Sequence, residues 1–152
     1  MKYSPAALRL LGYGLRSHRW NDFVSHTMQT WFKFSSDHNV SNFAFFNNEN
    51  HRNSSGTTHG GVLMTYMDYC MSAAVWDLSG GRHAYTINLN NKFIRPARIS
   101  RWLFAEVRIV EVADTIRLEG QINANDPKGM LILLSKGEFT LPKKIKKFGN
   151  NN

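Results

Sequence analysis

Residues 59–81 read HGGVLMTYMDYCMSAAVWDLSGG, and this stretch decides the fold of the chain. From Val62 to Trp76 it is apolar nearly all the way round a helix, which is typical of a buried helix. The pair Gly80-Gly81 predicts where the helix ends, because glycine readily takes the left-handed conformation at helix C-termini. Asp68 interrupts the apolar surface. The sequence therefore predicts one long buried helix that carries a carboxylate.

The segments after this helix alternate apolar and polar residues, as antiparallel strands with one buried face do. Turn sequences at Ala113-Asp114 and at residues 126–129 join neighbouring strands. The predicted strands lie at about residues 42–46 before the helix, and at 85–90, 103–109, 116–122 and 130–141 after it. One antiparallel sheet wrapped around one central helix satisfies this order, so the predicted fold class is α+β.

The first 40 residues predict extra helices. Ser4 followed by Pro5 is a good start for a short helix that reaches about Leu11. Apolar residues from Trp20 to Phe32 recur at three- and four-residue spacing, which indicates an amphipathic helix. We therefore divide the chain into three parts. They are an N-terminal helical extension (1–40), the main domain (41–142) and a basic flexible tail (143–152).

The charge of the chain favours a polyanionic partner. Nineteen Lys and Arg against 11 Asp and Glu give a net charge of +8, which suits nucleic acid, anionic lipid or a phosphate-bearing small molecule. The surplus is concentrated in residues 92–101 and 143–147. The first segment holds Lys92, Arg95, Arg98 and Arg101 without an acid, and we interpret the second as a solvated tail.

Several other classes of protein are disfavoured by the sequence. No apolar run reaches the roughly 18 residues of a membrane helix, so no membrane partner is expected. The histidines show no metal-ligand spacing, and we expect neither a metal nor another cofactor. The single cysteine, Cys70, excludes an internal disulfide and suits a reducing compartment. Because the N-terminus lacks a credible signal-peptide core, the expected localisation is cytoplasmic.

Two groups in the helical stretch are candidate catalytic groups. A carboxylate such as Asp68 is costly to bury among apolar neighbours, so a buried one usually has a partner or a catalytic function. The structural alternatives are an ion pair or a position on a narrow exposed face of the helix. Gly60-Gly61 leave backbone N–H groups uncovered at the positive end of the helix dipole. Such a group can hold a carbonyl oxygen and the negative charge that develops on it, although a simple turn is the alternative.

The spacing of these two groups predicts a dimer. Gly60 and Asp68 are eight residues apart, which separates them by about 12 Å along a regular helix. They cannot both contact one carbonyl from the same chain. If both act on one substrate, Asp68 of one subunit meets Gly60 of another across a two-fold axis, and two sites lie at the interface.

His59-Gly60-Gly61, with Asp68 nine residues after the histidine, resembles the signature of the phenylacetic-acid-pathway (PaaI-like) hotdog thioesterases. The stretch YTINLNNKFIRPA, residues 85–97, resembles the second strand of that family, which ends in an aromatic residue and then Pro-Ala. With the element order, the similarity covers about residues 42–141. It implies a hotdog fold and hydrolysis of acyl-CoA in a homodimer or a dimer of dimers, with coenzyme A as part of the substrate.

The resemblance also implies roles for individual residues. Asp68 would be the nucleophile or the general base that activates water, and the Gly60 N–H would polarise the thioester carbonyl. His59 would position that carbonyl, Asn53 the attacking water, and Thr86 the carboxylate or water across the interface. The residues implied in binding the substrate are Gly61, Arg95, Pro96, Arg98 and Arg101, of which the three arginines would bind the nucleotide end of coenzyme A. Relatives usually carry a glycine soon after Pro-Ala, where this chain has ISR at residues 99–101.

Other functions are open at this point. An acyl-CoA sensor on the same fold gives no reason to bury a carboxylate beside a thioester. A nucleic-acid-binding protein would interleave basic residues with exposed aromatics, whereas the strand aromatics here are as readily explained by packing, so no nucleic-acid partner is expected. A dehydratase on this fold would pair His and acid differently. We interpret the N-terminal aromatic stripe as packing, with the lining of an acyl tunnel as a second hypothesis; its members are Trp20, Phe23, Met28 and Trp31.

Overall fold

A long helix covered by an antiparallel sheet dominates the computed structural model, which describes residues 3–15 and 22–142. The elements in chain order are α1 (Pro5–Leu10), β1 (Gly14–Leu15), α2 (Phe23–Thr27), β2 (Trp31–Phe34), β3 (Val40–Asn47), a 3-10 turn (Glu49–His51), α3 (Gly60–Leu78), β4 (Tyr85–Phe93), β5 (Arg101–Val112), β6 (Ile116–Ala124) and β7 (Met130–Thr140). The predicted α+β class, with one sheet around one central helix, is confirmed.

The strands form one sheet in the order β1-β2-β3-β5-β6-β7-β4, and every neighbouring pair is antiparallel. β5, β6 and β7 follow one another as hairpins, as the turn sequences predict. β4 pairs with β7 rather than with β5, the strand that follows it in sequence. This crossover places β4, the strand that carries the family-like segment, at an edge of the sheet.

Helix α3 packs closely on the inner face of the sheet. Its residues Met67 and Met71 are fully buried in the main core. A Cβ built on Gly120 would lie 2.5 Å from Sδ of Met67, and one built on Gly137 would lie 2.5 Å from Sδ of Met71. Glycine at these two strand positions therefore gives the methionine side chains the room that lets the helix approach the sheet.

The N-terminal segment differs from its prediction. The helix that starts after Ser4 is confirmed as α1, with Ser4 Oγ accepting from Ala7 N–H. The amphipathic helix expected from Trp20 to Phe32 is wrong, because α2 spans five residues only and Trp31–Phe34 form β2, which pairs with β3. Trp20 and the tail 143–152 lie outside the described residues. The sheet therefore extends into the segment (1–40) that we expected to be a helical extension.

This segment also covers part of the outer face of the sheet. A second cluster of buried residues joins it to β3 and β5, and its members are Leu8, Tyr13, Trp31, Ala44, Trp102 and Phe104. Trp102 Nε1–H donates to the Tyr3 carbonyl at 2.9 Å, and the Tyr3 hydroxyl donates to Asp126 at 2.9 Å. The sheet thus has a core on both faces, with α3 on the inner face and α1 on the outer face.

Two features are absent from residues 3–15 and 22–142. No helix there combines the length and the apolar character that crossing a membrane requires. No three side chains of the His, Cys, Asp and Glu types come together there in a way that would hold a metal ion.

Candidate active site

Asp68 lies on the side of α3 that the sheet leaves partly open, where Met64 and Thr65 are also accessible. Its carboxylate is half-buried, and Oδ1 accepts a hydrogen bond from the Thr86 hydroxyl at 2.7 Å. None of the ion pairs between described residues includes Asp68. Of the two structural alternatives for Asp68, an ion pair finds no support in the described part of the chain, whereas a partly exposed helix face is what the structure shows.

Thr86 reaches Asp68 from the edge strand β4. The register of β4 on β7 shifts between Thr86 and Asn88, and such irregularities re-aim side chains at sheet edges. The contact lies within one chain, whereas the sequence resemblance implied that Thr86 acts across an interface. In this structure Thr86 therefore holds the carboxylate of its own subunit in place.

The N-terminus of α3 leaves one backbone donor free among the described residues. His59 is the N-cap, and its Nδ1 accepts from Gly61 N–H at 2.9 Å. The backbone N–H of His59 donates to the His51 carbonyl at 2.8 Å, which anchors the loop before the helix. Gly60 N–H donates to no acceptor in the described part of the chain. Of the two predicted glycines, Gly60 therefore has an N–H without an acceptor among the described residues, while the N–H of Gly61 is engaged by His59.

Asn53 is built into the turn that precedes the helix. Its Oδ1 accepts from the N–H groups of Ser55 and Thr57, both at 3.0 Å, and its Nδ2 donates to Thr57 Oγ1 at 3.1 Å. The amide side chain thus holds its own loop, as Asn side chains often do in turns. The predicted role of Asn53 in orienting water stays a prediction.

A buried polar network that the sequence reasoning missed supports the same loop. Asn47 is fully buried and its Nδ2 donates to Thr58 Oγ1 at 2.6 Å and to the Arg98 carbonyl at 2.9 Å. His51 is also buried; its Nδ1 accepts from Asn48 N–H at 3.1 Å, and its Nε2 lies 3.1 Å from the Thr27 carbonyl. Because buried polar groups need partners, these bonds fix the loop that leads into α3. The only sequence signal was polar residues directly after an apolar strand.

The three predicted arginines come together. Arg95, Arg98 and Arg101 are exposed and line one surface depression of about 340 Å³, together with Pro96. A neighbouring depression shares Arg95 and Pro96 and reaches Gly60 and Phe93. Guanidinium groups bind phosphate oxygens in bidentate geometry, so this cluster suits a ligand with several phosphates. The arginine depression therefore leads towards the free N–H of Gly60.

Residues 55–118 match the model of the thioesterase superfamily. Among solved structures, the chain resembles the Escherichia coli PaaI protein from the phenylacetic acid degradation operon at 18% identity and a TM-score of 0.70, covering 81% of this chain and 86% of that one. This chain has the hotdog fold. The resemblance to the PaaI-like thioesterases stated from the sequence is confirmed.

Two further solved structures share the hotdog fold. A mutant thioesterase enzyme from Staphylococcus aureus aligns at 17% identity and a TM-score of 0.71, covering 80% of this chain and 100% of that one. A Streptococcus mutans protein bound to acetyl CoA aligns at 14% identity and a TM-score of 0.64, covering 72% and 85% of the two chains. No curated protein matches the chain in sequence. The superfamily match supports thioester hydrolysis as the general chemistry.

Proposed function

We propose that this hotdog protein hydrolyses acyl-CoA to a free acid and CoA. The observation that carries the proposal is the carboxylate of Asp68, which lies on the open face of α3 and is held by Thr86, within a segment that matches the thioesterase superfamily. Asp68 takes a proton from a water that attacks the carbonyl carbon, or it attacks that carbon itself. The C–S bond then breaks, and the sulfur leaves and takes up a proton. In the first route the oxygen from water ends in the acid. In the second route a water hydrolyses the anhydride formed between the acyl group and Asp68, which releases the acid and restores the carboxylate.

The thioester carbonyl in this proposal is held by Gly60 of a second copy. The helix geometry places the two groups of one chain about 12 Å apart, too far to share one carbonyl. Gly60 N–H has no acceptor among the described residues, and as the first donor of a helix of 19 residues it is suited to a developing negative charge. Asp68 and Gly60 of one chain therefore belong to two different sites.

The edge strand β4 supports the same dimer. Among the described strands β4 pairs with β7 alone, so its other edge has unpaired backbone groups. Tyr85, Ile87 and Phe93 on this strand are at least half exposed. Proteins generally cover such an apolar edge, because it would otherwise pair with other chains. A two-fold axis that brings Gly60 to Asp68 passes near Met64, which is midway between them and 40% exposed. We propose a homodimer, or a dimer of dimers built from it.

The arginine depression is the proposed site for the nucleotide end of coenzyme A. Three exposed guanidinium groups beside Pro96 match a pyrophosphate and a ribose phosphate in charge. From there the depression at Gly60 leads to the thioester. Cys70 is buried and forms no disulfide, which fits the proposed cytoplasmic localisation.

Thiol release from a panel of acyl-CoAs, from short to long and including aromatic acyl groups, tests the proposal. We expect release of free CoA above the spontaneous rate with at least one chain length. Release that Asp68→Asn does not reduce would contradict the assignment of Asp68. Binding of acyl-CoA without release would instead favour an acyl-CoA sensor. The absence of both binding and release would favour a different polyanionic partner, bound by the basic tail.

Replacing Thr86 with valine is expected to lower kcat about ten- to 100-fold with KM nearly unchanged. The variant keeps the shape of the side chain but removes one hydrogen bond to a charged group, which contributes about 1.5–3 kcal/mol. Thr86→Ser, which retains the hydroxyl, is the matched control and is expected to stay within a few-fold of the parent. Steady-state kinetics on both variants check this, and equal kcat for the Val and Ser variants would contradict the positioning role.

Replacing Arg98 with alanine is expected to raise KM for acyl-CoA about tenfold and to leave kcat unchanged, because phosphate binding is the same in the ground and transition states. The effect should shrink as salt is raised. Arg108→Ala is the matched control, since Arg108 is exposed on β5 and does not line the arginine depression. A similar rise in KM for both variants would show that only the net charge matters.

A further inference from the structure

Two backbone segments of the proposed substrate site are joined to each other. One is the end of the loop that leads into α3, and the other carries Arg98. Thr57 forms an isolated antiparallel bridge with Arg98, and Thr58 N–H donates to the Ala97 carbonyl at 2.8 Å. Ala97 is 1% exposed, so this junction lies in the protein interior. Gly60 follows the junction directly on the first segment, separated from it by one residue.

The side chain of Asn47, the last residue of β3, connects the two segments. It is fully buried, and its Nδ2 donates to Thr58 Oγ1 at 2.6 Å and to the Arg98 carbonyl at 2.9 Å. Thr58 Oγ1 in turn donates to the Ala97 carbonyl at 3.0 Å. Both N–H groups of one amide are thus used, one on each segment, so the Asn47 side chain holds the two segments together.

The backbone after Arg98 takes a conformation that needs such support. Ser100 has φ 59°, in the left-handed region that residues with a side chain seldom adopt. A conformation of this kind persists only where surrounding contacts enforce it. The backbone carbonyl of Asn47 supplies one of these contacts, because it accepts from Ser100 N–H at 2.8 Å. Asn47 therefore holds this segment with its side chain at Arg98 and with its backbone at Ser100.

The direction of the Gly60 N–H depends on the loop segment. This N–H belongs to the peptide group after His59, whose own N–H donates to the His51 carbonyl at 2.8 Å. Thr58, directly before His59, is 5% exposed and is held by Asn47. A donor stabilises a developing negative charge when it already points at the oxygen, and hydrogen bonds weaken steeply when they are misaligned. The bonds that fix this backbone therefore affect how well Gly60 can hold a carbonyl.

We propose that Asn47 is a positioning residue for the reaction, which acts through Thr58 on the Gly60 N–H and through the Arg98 backbone on the arginine depression. The inference rests on the proposed function, in which Gly60 holds the thioester carbonyl and Arg98 binds a phosphate of the same acyl-CoA. Asn47 itself is fully buried, so it acts through these two contacts and not on the substrate directly. It also precedes the superfamily match at residues 55–118, so that motif does not include it.

Two variants separate the two effects. Thr58→Val keeps the shape of the side chain but removes the hydroxyl that Asn47 contacts. We expect kcat to fall about ten- to 100-fold with KM nearly unchanged, because a displacement of about 1 Å can cost about 10²-fold. Asn47→Leu removes both hydrogen bonds, so kcat should fall by a similar factor and KM should rise as well. Thr58→Ser retains the hydroxyl and should recover most of the loss, and thermal unfolding checks that all three variants fold.

Thr30→Val is the matched control for Thr58→Val. The two threonines are similarly buried, at 4% and 5% exposed, and each hydroxyl donates to a backbone carbonyl at 3.0 Å. The acceptor of Thr30 is the Met28 carbonyl between α2 and β2, and Thr30 lines neither of the two depressions near Pro96. We expect the control to lose stability as Thr58→Val does but to keep its kcat. Equal losses of kcat in the two variants would overturn the positioning role.

The variant Gly60→Pro, which lacks the N–H, tests the path from Asn47 to Gly60. Substitutions that act through one shared contact are not additive. Adding Thr58→Val to Gly60→Pro should therefore lower kcat by less than about twofold further. A further loss of about tenfold would show that Thr58 does not act through the Gly60 N–H, and would overturn the inference.

Nuclear magnetic resonance of the full chain tests the inference without turnover. The ligand is the ketone analogue of acetyl-CoA, in which a methylene group replaces the sulfur, so the carbonyl is kept and cannot be hydrolysed. The chain has 11 glycines, and Gly60→Ala identifies the Gly60 amide signal in protein labelled with ¹⁵N-glycine. We expect this signal to move when the analogue saturates the parent or Thr30→Val, and to move less in Thr58→Val.

The same movement of the Gly60 signal in Thr58→Val as in the parent would overturn the inference. No movement in the parent would overturn it too, because the Gly60 N–H would then hold no carbonyl. Failure of the proposed function would show separately, as absent thiol release from acyl-CoA by the parent.

Discussion

Replacing Asp68 with asparagine is expected to lower kcat by about 10²–10⁴, the usual contribution of a general base. The amide has the shape of the carboxylate, and its carbonyl oxygen can still accept the hydrogen bond from Thr86. It can neither take a proton from water nor attack the thioester. Thiol release at saturating acyl-CoA measures the loss, and thermal unfolding checks that the fold survives.

Asp77→Asn is the matched control for this experiment. Asp77 lies on the same helix, is also partly buried, and is paired with His38 at 2.7 Å rather than with Thr86. We expect this variant to keep its turnover. A parent-like rate in Asp68→Asn, or equal losses in both aspartate variants, would contradict the assignment of the catalytic carboxylate.

The central helix and the strands after it were predictable because burial directly determines which of their positions are apolar. Helix α3 is buried on several sides and reads as continuously apolar, and β6 alternates buried and exposed residues from Ile116 to Gly120 because its inner face packs on α3. In β5 the residues from Trp102 to Ala105 are all buried, because Trp102 and Phe104 pack in the cluster on the outer face. Local sequence does not encode which strands pair. The position of β4 beside β7 depends on contacts between distant segments, so the free edge that supports the dimer was visible only in the structure.

The error in the N-terminal segment has a physical cause. Val24 and Met28 pack in the main core with α3, whereas Trp31 packs in the cluster on the outer face of the sheet. A helix-like spacing across these residues arises because the chain passes from one face of the sheet to the other. Periodicity alone cannot detect this change of face, and aromatic residues such as Trp31 suit a strand as readily as a helix.

The residues of the candidate site that lie within one short sequence motif were predictable from the sequence. Asp68 and Gly60 were identified because a carboxylate and a helix N-terminus are recognisable from spacing alone. The hydrogen bond from Thr86 within the same chain depends on the irregular register of β4, and the network around Asn47 and His51 depends on packing.

Replacing Gly60 with proline should lower kcat about 10²–10³-fold, as the loss of one oxyanion donor does. Proline removes the N–H at this position and adds a ring whose Cβ meets Phe93, and it is well tolerated as the first residue of a helix. The preceding residue, His59, has φ −61° and ψ 133°, which suits a residue before proline. Gly60→Ala is the matched control. It also adds a Cβ, 3.4 Å from the Phe93 ring, but keeps the N–H, so we expect less than a tenfold loss.

Mixing the two inactive variants tests whether Gly60 and Asp68 act from different chains. In a mixed dimer of Asp68→Asn and Gly60→Pro, one site combines the intact Asp68 of one copy with the intact Gly60 of the other. Random exchange of subunits makes about half of the dimers mixed, so about a quarter of the parental sites return. No recovery after verified exchange would mean that both groups serve a site within one chain, which the 12 Å separation along α3 opposes. Recovery near a quarter would assign each active site to two subunits.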